Sequence, residues 1–315
     1  MKSTQLTQES PVDNRLFLRL IKIMLVAVLV VTVIFGGYYY WDRYVHVGDQ
    51  SPTELGISHL LRIVQENPND PDARLSLAQT YIEAGNYSEA IRHAQKVLKA
   101  YPDNAGALML MGVAFSKMGQ AKDAVNYLEQ FTAIRRKSED PNMDKVLEAG
   151  LYFLGQNYLI VAQPDKAIAV LKEALDIDST DADVLVLLGD AYNQTGQYQQ
   201  AVESYESTVR FVPDYVEAYQ GLVVSYQALN MVPNVTYAKG MEAYSNKDFQ
   251  KARDLLTQSS AELANFAPVY LGLALTYEQL GDPQFAIVYA RKTMELDPSN
   301  FAASNLLSRL SVENK

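Results

Sequence analysis

The 315-residue sequence contains no cysteine and only three histidines, and each scarcity removes a class of chemistry. Without cysteine there is no disulfide framework, no thiolate metal site and no thiol nucleophile. His46, His59 and His93 stand on no metal-ligand spacing and beside no catalytic pattern. Basic residues are also in deficit. Lys plus Arg is 27 against 37 for Asp plus Glu, a net charge of −10. That argues against a nucleic-acid partner, because phosphate binding needs a basic face. The 16 glycines are scattered and never form a loop that could cradle a phosphate. Asp176 to Asp183 has the acidic spacing that opens a calcium loop. Asp181, however, stands where such a loop needs Gly, and Leu187 where it needs Glu. The expectation is a non-enzymatic protein with no metal and no cofactor. With 48% hydrophobic and 20% charged residues, a folded core is affordable and intrinsic disorder is excluded.

Charge is missing altogether from Ile23 to Trp41, and Met24 to Phe35 is almost entirely Val, Leu, Ile and Ala. At 1.5 Å per residue these 19 residues reach roughly 28 Å, enough to span the hydrocarbon of a bilayer. Tyr38, Tyr39, Tyr40 and Trp41 form an aromatic belt at one end, and Arg19 and Lys22 can snorkel at the other. Phe35-Gly36-Gly37-Tyr38-Tyr39 offers no A-x-A-like cleavage site, which favours an uncleaved anchor over a signal peptide. Lys2, Arg15, Arg19 and Lys22 precede the span, whereas only Arg43 follows it closely. The N-terminus is therefore expected in the cytoplasm and the rest of the chain outside it. Removing the leader's four basic and two acidic residues leaves 23 basic and 35 acidic after Trp41. That body, at −12, is repelled by anionic lipid.

The remainder repeats. NYSEA, QAKDA, QPDKA, QYQQA, DFQKA and DPQFA each end in an alanine, at Ala90, Ala124, Ala167, Ala201, Ala252 and Ala286. The separations are 34, 43, 34, 51 and 34 residues. Matching positions upstream hold Leu77-Ala78 and Tyr81, Met111-Gly112 and Phe115, Leu154-Gly155 and Tyr158, Leu188-Gly189 and Tyr192, and Leu273-Ala274 and Tyr277. Pro102, Pro213 and Pro298 close units.

This pattern resembles the tetratricopeptide repeat family, and the resemblance covers about residues 51 to 313. It implies an α-solenoid of helix-turn-helix units, so that with the N-terminal transmembrane helix expected from the apolar run the fold is all-α. The chain then divides into a cytoplasmic tail at 1–22, an anchor at 23–41, a linker at 42–50 and a solenoid at 51–313. Within the solenoid, a partial unit occupies 51–70 and full units start at 71, 105, 148, 182, 233 and 267. The 51-residue separation adds half a unit, an extra helix at 216–232, and residues 301–313 form a capping helix. The 43-residue separation adds nine residues around Arg135-Arg136-Lys137. These read as a solvated loop, or alternatively as a dock for an acidic partner.

In this family the first helix of each unit lines a concave ligand groove. Carried onto this sequence, the groove positions include Leu75, Gln79, Met109, Val113, Tyr152, Gln156, Leu159, Asp190, Asn193, Tyr237, Met241 and Tyr244. Each of them can alternatively pack against a neighbouring helix. The Lys, Arg and Asn clamp with which one subfamily grips carboxylate termini is absent, since Leu75, Gln79, Met109 and Val113 hold its places. Met, Tyr and aliphatic residues suit an amphipathic helix or an extended peptide. The expected function is a membrane-anchored interaction scaffold, an assembly factor or chaperone-like accessory protein of a bacterial envelope. The alternative is a structural subunit permanently docked in a large membrane protein complex. Mitochondrial import receptors share the layout but face the cytosol, which the basic leader opposes.

Overall fold

The computed structural model describes residues 22, 24, 28, 30–39 and 51–313, and the chain divides into two compact units, Met1–His59 and Leu60–Lys315. In the first unit residues 30–39 are helical, with exposed side chains. Residues 23, 25–27, 29, 40 and 41 of the expected anchor lie outside the described residues, as do the linker 42–50 and the tail up to residue 21. Among the described residues no helix is long and apolar enough to cross a membrane. Helix α1 (Pro52–Glu66) starts with a reciprocal cap: Glu54 N–H donates to Ser51 Oγ, and Ser51 N–H donates to the Glu54 carboxylate.

The second unit continues as a run of helices, with no strand among the described residues. They are α2 (Pro71–Glu83), α3 (Tyr87–Ala100), α4 (Ala105–Lys117), α5 (Ala121–Arg135), α6 (Lys145–Ile160), α7 (Pro164–Ile177) and α8 (Ala182–Gln194). After these come α9 (Tyr198–Phe211), α10 (Val216–Ala228), α11 (Val232–Ser245), α12 (Phe249–Glu262), α13 (Ala267–Gln279), α14 (Pro283–Leu296) and α15 (Phe301–Glu313). Consecutive helices pack on each other throughout.

Two local devices repeat along the stack. Asp70, Asn104, Asp144 and Asp181 sit in extended conformation and accept backbone N–H bonds from the first turns of α2, α4, α6 and α8. Each tight turn inside a helix pair holds one residue at positive φ: Gly85, Gly119, Gly196 and Gly281, but Ala162, Asn230 and Lys247 at the equivalent places. A β-carbon is strained in that conformation. Ala162→Gly is therefore expected to raise stability by up to about 1 kcal/mol, read as a higher urea midpoint at unchanged slope. The unfolded-state entropy of Gly offsets part of the gain.

The core rests on size matching between the two helices of a pair. Where the first helix carries Gly, the second presents a bulky side chain; a β-carbon on Gly112 would stand 2.5 Å from Leu128, and one on Gly155 2.6 Å from Leu171. Where the first helix carries buried Ala78 or Ala274, the second offers Ala94 or Ala290 instead. Packing density is kept either way.

The extra helix alters the stacking row. First helices touch across units in the series α2, α4, α6, α8 and α10, and again in the series α11, α13 and α15. The two series abut at α10 and α11. Helix α10 ends at Ala228, and Val232 already belongs to α11, so the extra helix is shorter than the 216–232 read from the repeat phase. Likewise α6 begins at Lys145, three residues before the expected unit start at Glu148. Helix α11 is joined to α10 and to α12 by the same kind of positive-φ turn, at Asn230 and Lys247. It is second helix to one neighbour and first helix to the other.

Candidate functional site

The first row of helices leaves an open trough of about 440 Å³ across α2, α4 and the start of α6. Leu75 and Gln79 come from α2, Met109 and Leu110 from α4, and Val146 from α6. Phe131 and Arg135 at the end of α5 close one side. Val146 is 52% exposed and Met143 beside it 76% exposed, so apolar surface is left facing water. Gln79 Nε2 donates to Glu83 Oε1 at 3.0 Å, which keeps its amide on the helix surface. The trough thus brings together Leu75, Gln79 and Met109 of the expected groove. It adds Leu110 of α4 and also Val146, which precedes the expected unit start at Glu148; Asp144, an N-cap residue ahead of an apolar run, is the signal for the earlier start.

The other groove positions divide. Tyr152, Gln156 and Leu159 on α6 are half-buried, Tyr152 standing edge-on to Phe153 with ring centroids 5.2 Å apart. Burial raises the Tyr152 hydroxyl's pKa, and Asp183 and Asp181 nearby add to the rise. Val113 is buried in α4, not exposed to a groove. Asp190 and Asn193 are spent on helix packing: Tyr205 Oη donates to Asp190 at 2.6 Å, while Asn193 donates to Tyr205 Oη at 3.1 Å and accepts from Ser225 Oγ at 2.7 Å. That network ties α8, α9 and α10 together, and burial nonetheless raises the Asp190 carboxyl above its ordinary range.

Tyr237 and Met241 correct the expectation most sharply. They are 3% and 2% exposed, and Tyr237 meets Tyr219 and Phe266 edge-on at 6.3 and 5.1 Å. The row switch explains Tyr237, because α10 brings Tyr219 against it, whereas Met241 packs toward α13, where a β-carbon on Gly272 would stand 2.5 Å from its Sδ. Tyr244, one turn further on, stays half-buried and leans on Phe249. The Arg135-Arg136-Lys137 stretch is not a free basic dock either. Arg135 Nε donates to Asp144 at 2.7 Å, and Arg136 pairs with both oxygens of Glu173 at 2.7 Å. No group of three His, Asp or Glu that could hold a metal ion occurs among the described residues.

The sequence profile of the tetratricopeptide repeat matches residues 56–92, 82–148 and 159–226, and a second profile of the same repeat matches 267–300. The chain belongs to the tetratricopeptide repeat family. Among curated relatives it is similar to anaphase-promoting complex subunit 7 of Homo sapiens, with 22% identity over 191 residues, 60% of this chain and 32% of that protein. It is also similar to the peroxisomal targeting signal receptor of Komagataella phaffii, with 25% identity over 158 residues, 48% of this chain and 26% of the receptor. The chain spans no more than about a third of the length of either relative. Among solved structures, a MamA protein shares 25% identity at a TM-score of 0.45, covering 61% of this chain and 94% of its own. YrrB, described as a TPR protein with an unusual peptide-binding site, shares 15% identity at a TM-score of 0.45, over 79% of this chain and 97% of its own. The tetratricopeptide repeat stack of this chain is a protein-interaction scaffold, built from helix pairs with an apolar trough on its first row.

Proposed function

We propose that this tetratricopeptide repeat protein is a membrane-anchored scaffold acting outside the cytoplasm, an assembly factor or chaperone-like accessory protein that holds a peptide segment of its partner in the α2–α4–α6 trough. The trough carries the reading: Leu75, Met109 and Val146 offer apolar anchors from three successive units at one surface. Polar groups there are few, which suits an amphipathic helix or an extended segment. Helices α8, α10 and α13 contain no lysine or arginine but carry Asp183, Asp190, Glu217 and Glu278, so a strongly acidic partner is disfavoured along those three helices. The anchor rests on the uncharged run Ile23–Trp41, and the exposure of Val33, Ile34 and Phe35 on their helix is consistent with a lipid-facing segment.

A photo-crosslinking amino acid at Gln79 or Met109 is expected to trap a partner in cells, and one at the outer-face position Lys122 is not. Met109→Glu, which places a charge in the trough, should weaken trapping from Gln79 at least about tenfold. Equal adducts from all three positions would sink the trough reading. The topology has its own test: alkaline phosphatase fused after Lys315 should be active in a bacterial host, and an inactive fusion would overturn the extracytoplasmic placement.

A further inference from the structure

Where the two helix rows abut, the fold encloses a second and smaller space, separate from the trough. It is a cavity of about 120 Å³ between α9, α10, α11, α13 and the turn after α14. Tyr219, Tyr237, Met241, Phe266, Leu271 and Leu275 supply its apolar surface. Glu206, Arg210, Asp297 and Asn300 complete the lining, and several of the polar atoms around it are already committed. Tyr219 Oη donates to the Pro213 carbonyl at 2.9 Å, and the neighbouring Tyr226 donates to Glu206 at 2.7 Å. Asp297 accepts from Ser299 and Asn300. Apolar cavities of about 150 Å³ take up a benzene ring. This space is near that size, its lining combines nine apolar residues with Glu206, Arg210, Asp297 and Asn300, and its edge is not closed: Leu271, Leu275 and Pro268 are half-buried and Arg210 is exposed.

We infer that this junction cavity receives one phenylalanine- or leucine-sized side chain carried on a partner's polypeptide segment. The inference rests on the scaffold reading above and names a second contact of the same kind, at a place that only the row switch creates. Volume sets the size of the occupant, and the nine apolar residues of the lining set its chemistry. The edge sets its carrier. Arg210 lines the cavity and makes no side-chain hydrogen bond or ion pair among the described residues, so its guanidinium donors remain for a backbone carbonyl. Glu206 and Asp297 on the same edge disfavour an acidic neighbour on the incoming segment.

The full chain, labelled with ¹³C at its methionine methyls, tests this with N-acetylphenylalaninamide as the probe and N-acetylserinamide as its control. The Met241 methyl resonance is expected to shift saturably with the phenylalanine compound and to stay still with the serine compound. Leu271→Trp, which fills the space, should abolish the shift, and Leu271→Ala, which enlarges it, should keep it. If Leu271→Trp loses the dispersed spectrum of a folded protein, Leu275→Phe takes its place. No shift at Met241 overturns the inference. A shift with toluene but not with N-acetylphenylalaninamide also overturns it, because a side chain on a backbone then cannot enter. The trough fails or stands on the crosslinks from Gln79 and Met109, so either site can fall without the other.

Discussion

Gly221→Ala is expected to destabilise the protein by about 3 kcal/mol, a large loss for a single added methyl group. A β-carbon at Gly221 would lie 2.1 Å from Tyr205 Cζ, and one at Gly189, on the opposite side of the same ring, 2.6 Å from Cε1. The ring is held between two helix backbones and cannot slide away, because its hydroxyl is fixed by Asp190 and Asn193. Alanine gains up to about 1 kcal/mol over glycine in helix propensity, which opposes the clash but does not match it. Tyr205→Leu relieves the contact, since leucine ends before the ring edge, and leucine already fills the matching place opposite Gly112 and Gly155. A double-mutant cycle by urea denaturation should therefore find Gly221→Ala costing less than about 1 kcal/mol in the Tyr205→Leu background. Equal costs in both backgrounds would show that the ring is not what excludes the methyl.

The same ring shows how far the sequence alone could be read. The recurring alanines and the Leu-Gly positions locate the helix pairs because close helix approach demands small residues at fixed spacing. The trough residues Leu75, Gln79 and Met109 are legible for a similar reason, as they lie in two units at the regular 34-residue period. Where the period breaks, position stops implying exposure. Tyr237 and Met241 hold groove places by phase, but Tyr219 of α10 covers the first and α13 the second, and a half-unit insertion carries no residue pattern that says which row it joins. Asn193 and Asp190 were misread differently. A polar residue on a first helix looks ligand-facing until its partner is known, and here the partner is a tyrosine that the two glycines admit. Val146 lies outside the repeat pattern because α6 keeps the phase of its unit but starts one turn earlier, at the cap Asp144.

Acidification is expected to weaken the first repeat through His93, which is 2% exposed in α3 with its ring 5.7 Å from that of Tyr81. Arg92 Nη2 stands 3.1 Å from Nε2, and since a guanidinium can only donate, Nε2 accepts and the proton sits on Nδ1. Nδ1 has no hydrogen-bond partner among the described residues. Burial, and then the positive charges of Arg92, Arg74 and Lys96, lower the imidazole pKa to about 4, with Glu89 opposing weakly. In the unfolded chain the same group titrates near 6.5. Between those values the unfolded state binds the extra proton, so the stability associated with a neutral His93 is complete above about pH 6.5 and is lost as pH falls toward 4. The full loss is on the order of 3 kcal/mol. Carboxylates lowered by their partners, such as Asp178 at about 2 beside Lys145, add their own acid loss, largely below that window. His93→Leu keeps an apolar side chain of similar bulk and removes the titration. Urea denaturation at pH 7, 6, 5 and 4.5 should show the wild-type stability falling more steeply than that of the variant, with the curves converging or crossing at the acid end. Parallel curves across that range would mean that His93 titrates alike in the folded and unfolded chains, and that its burial does not govern the acid sensitivity of the first repeat.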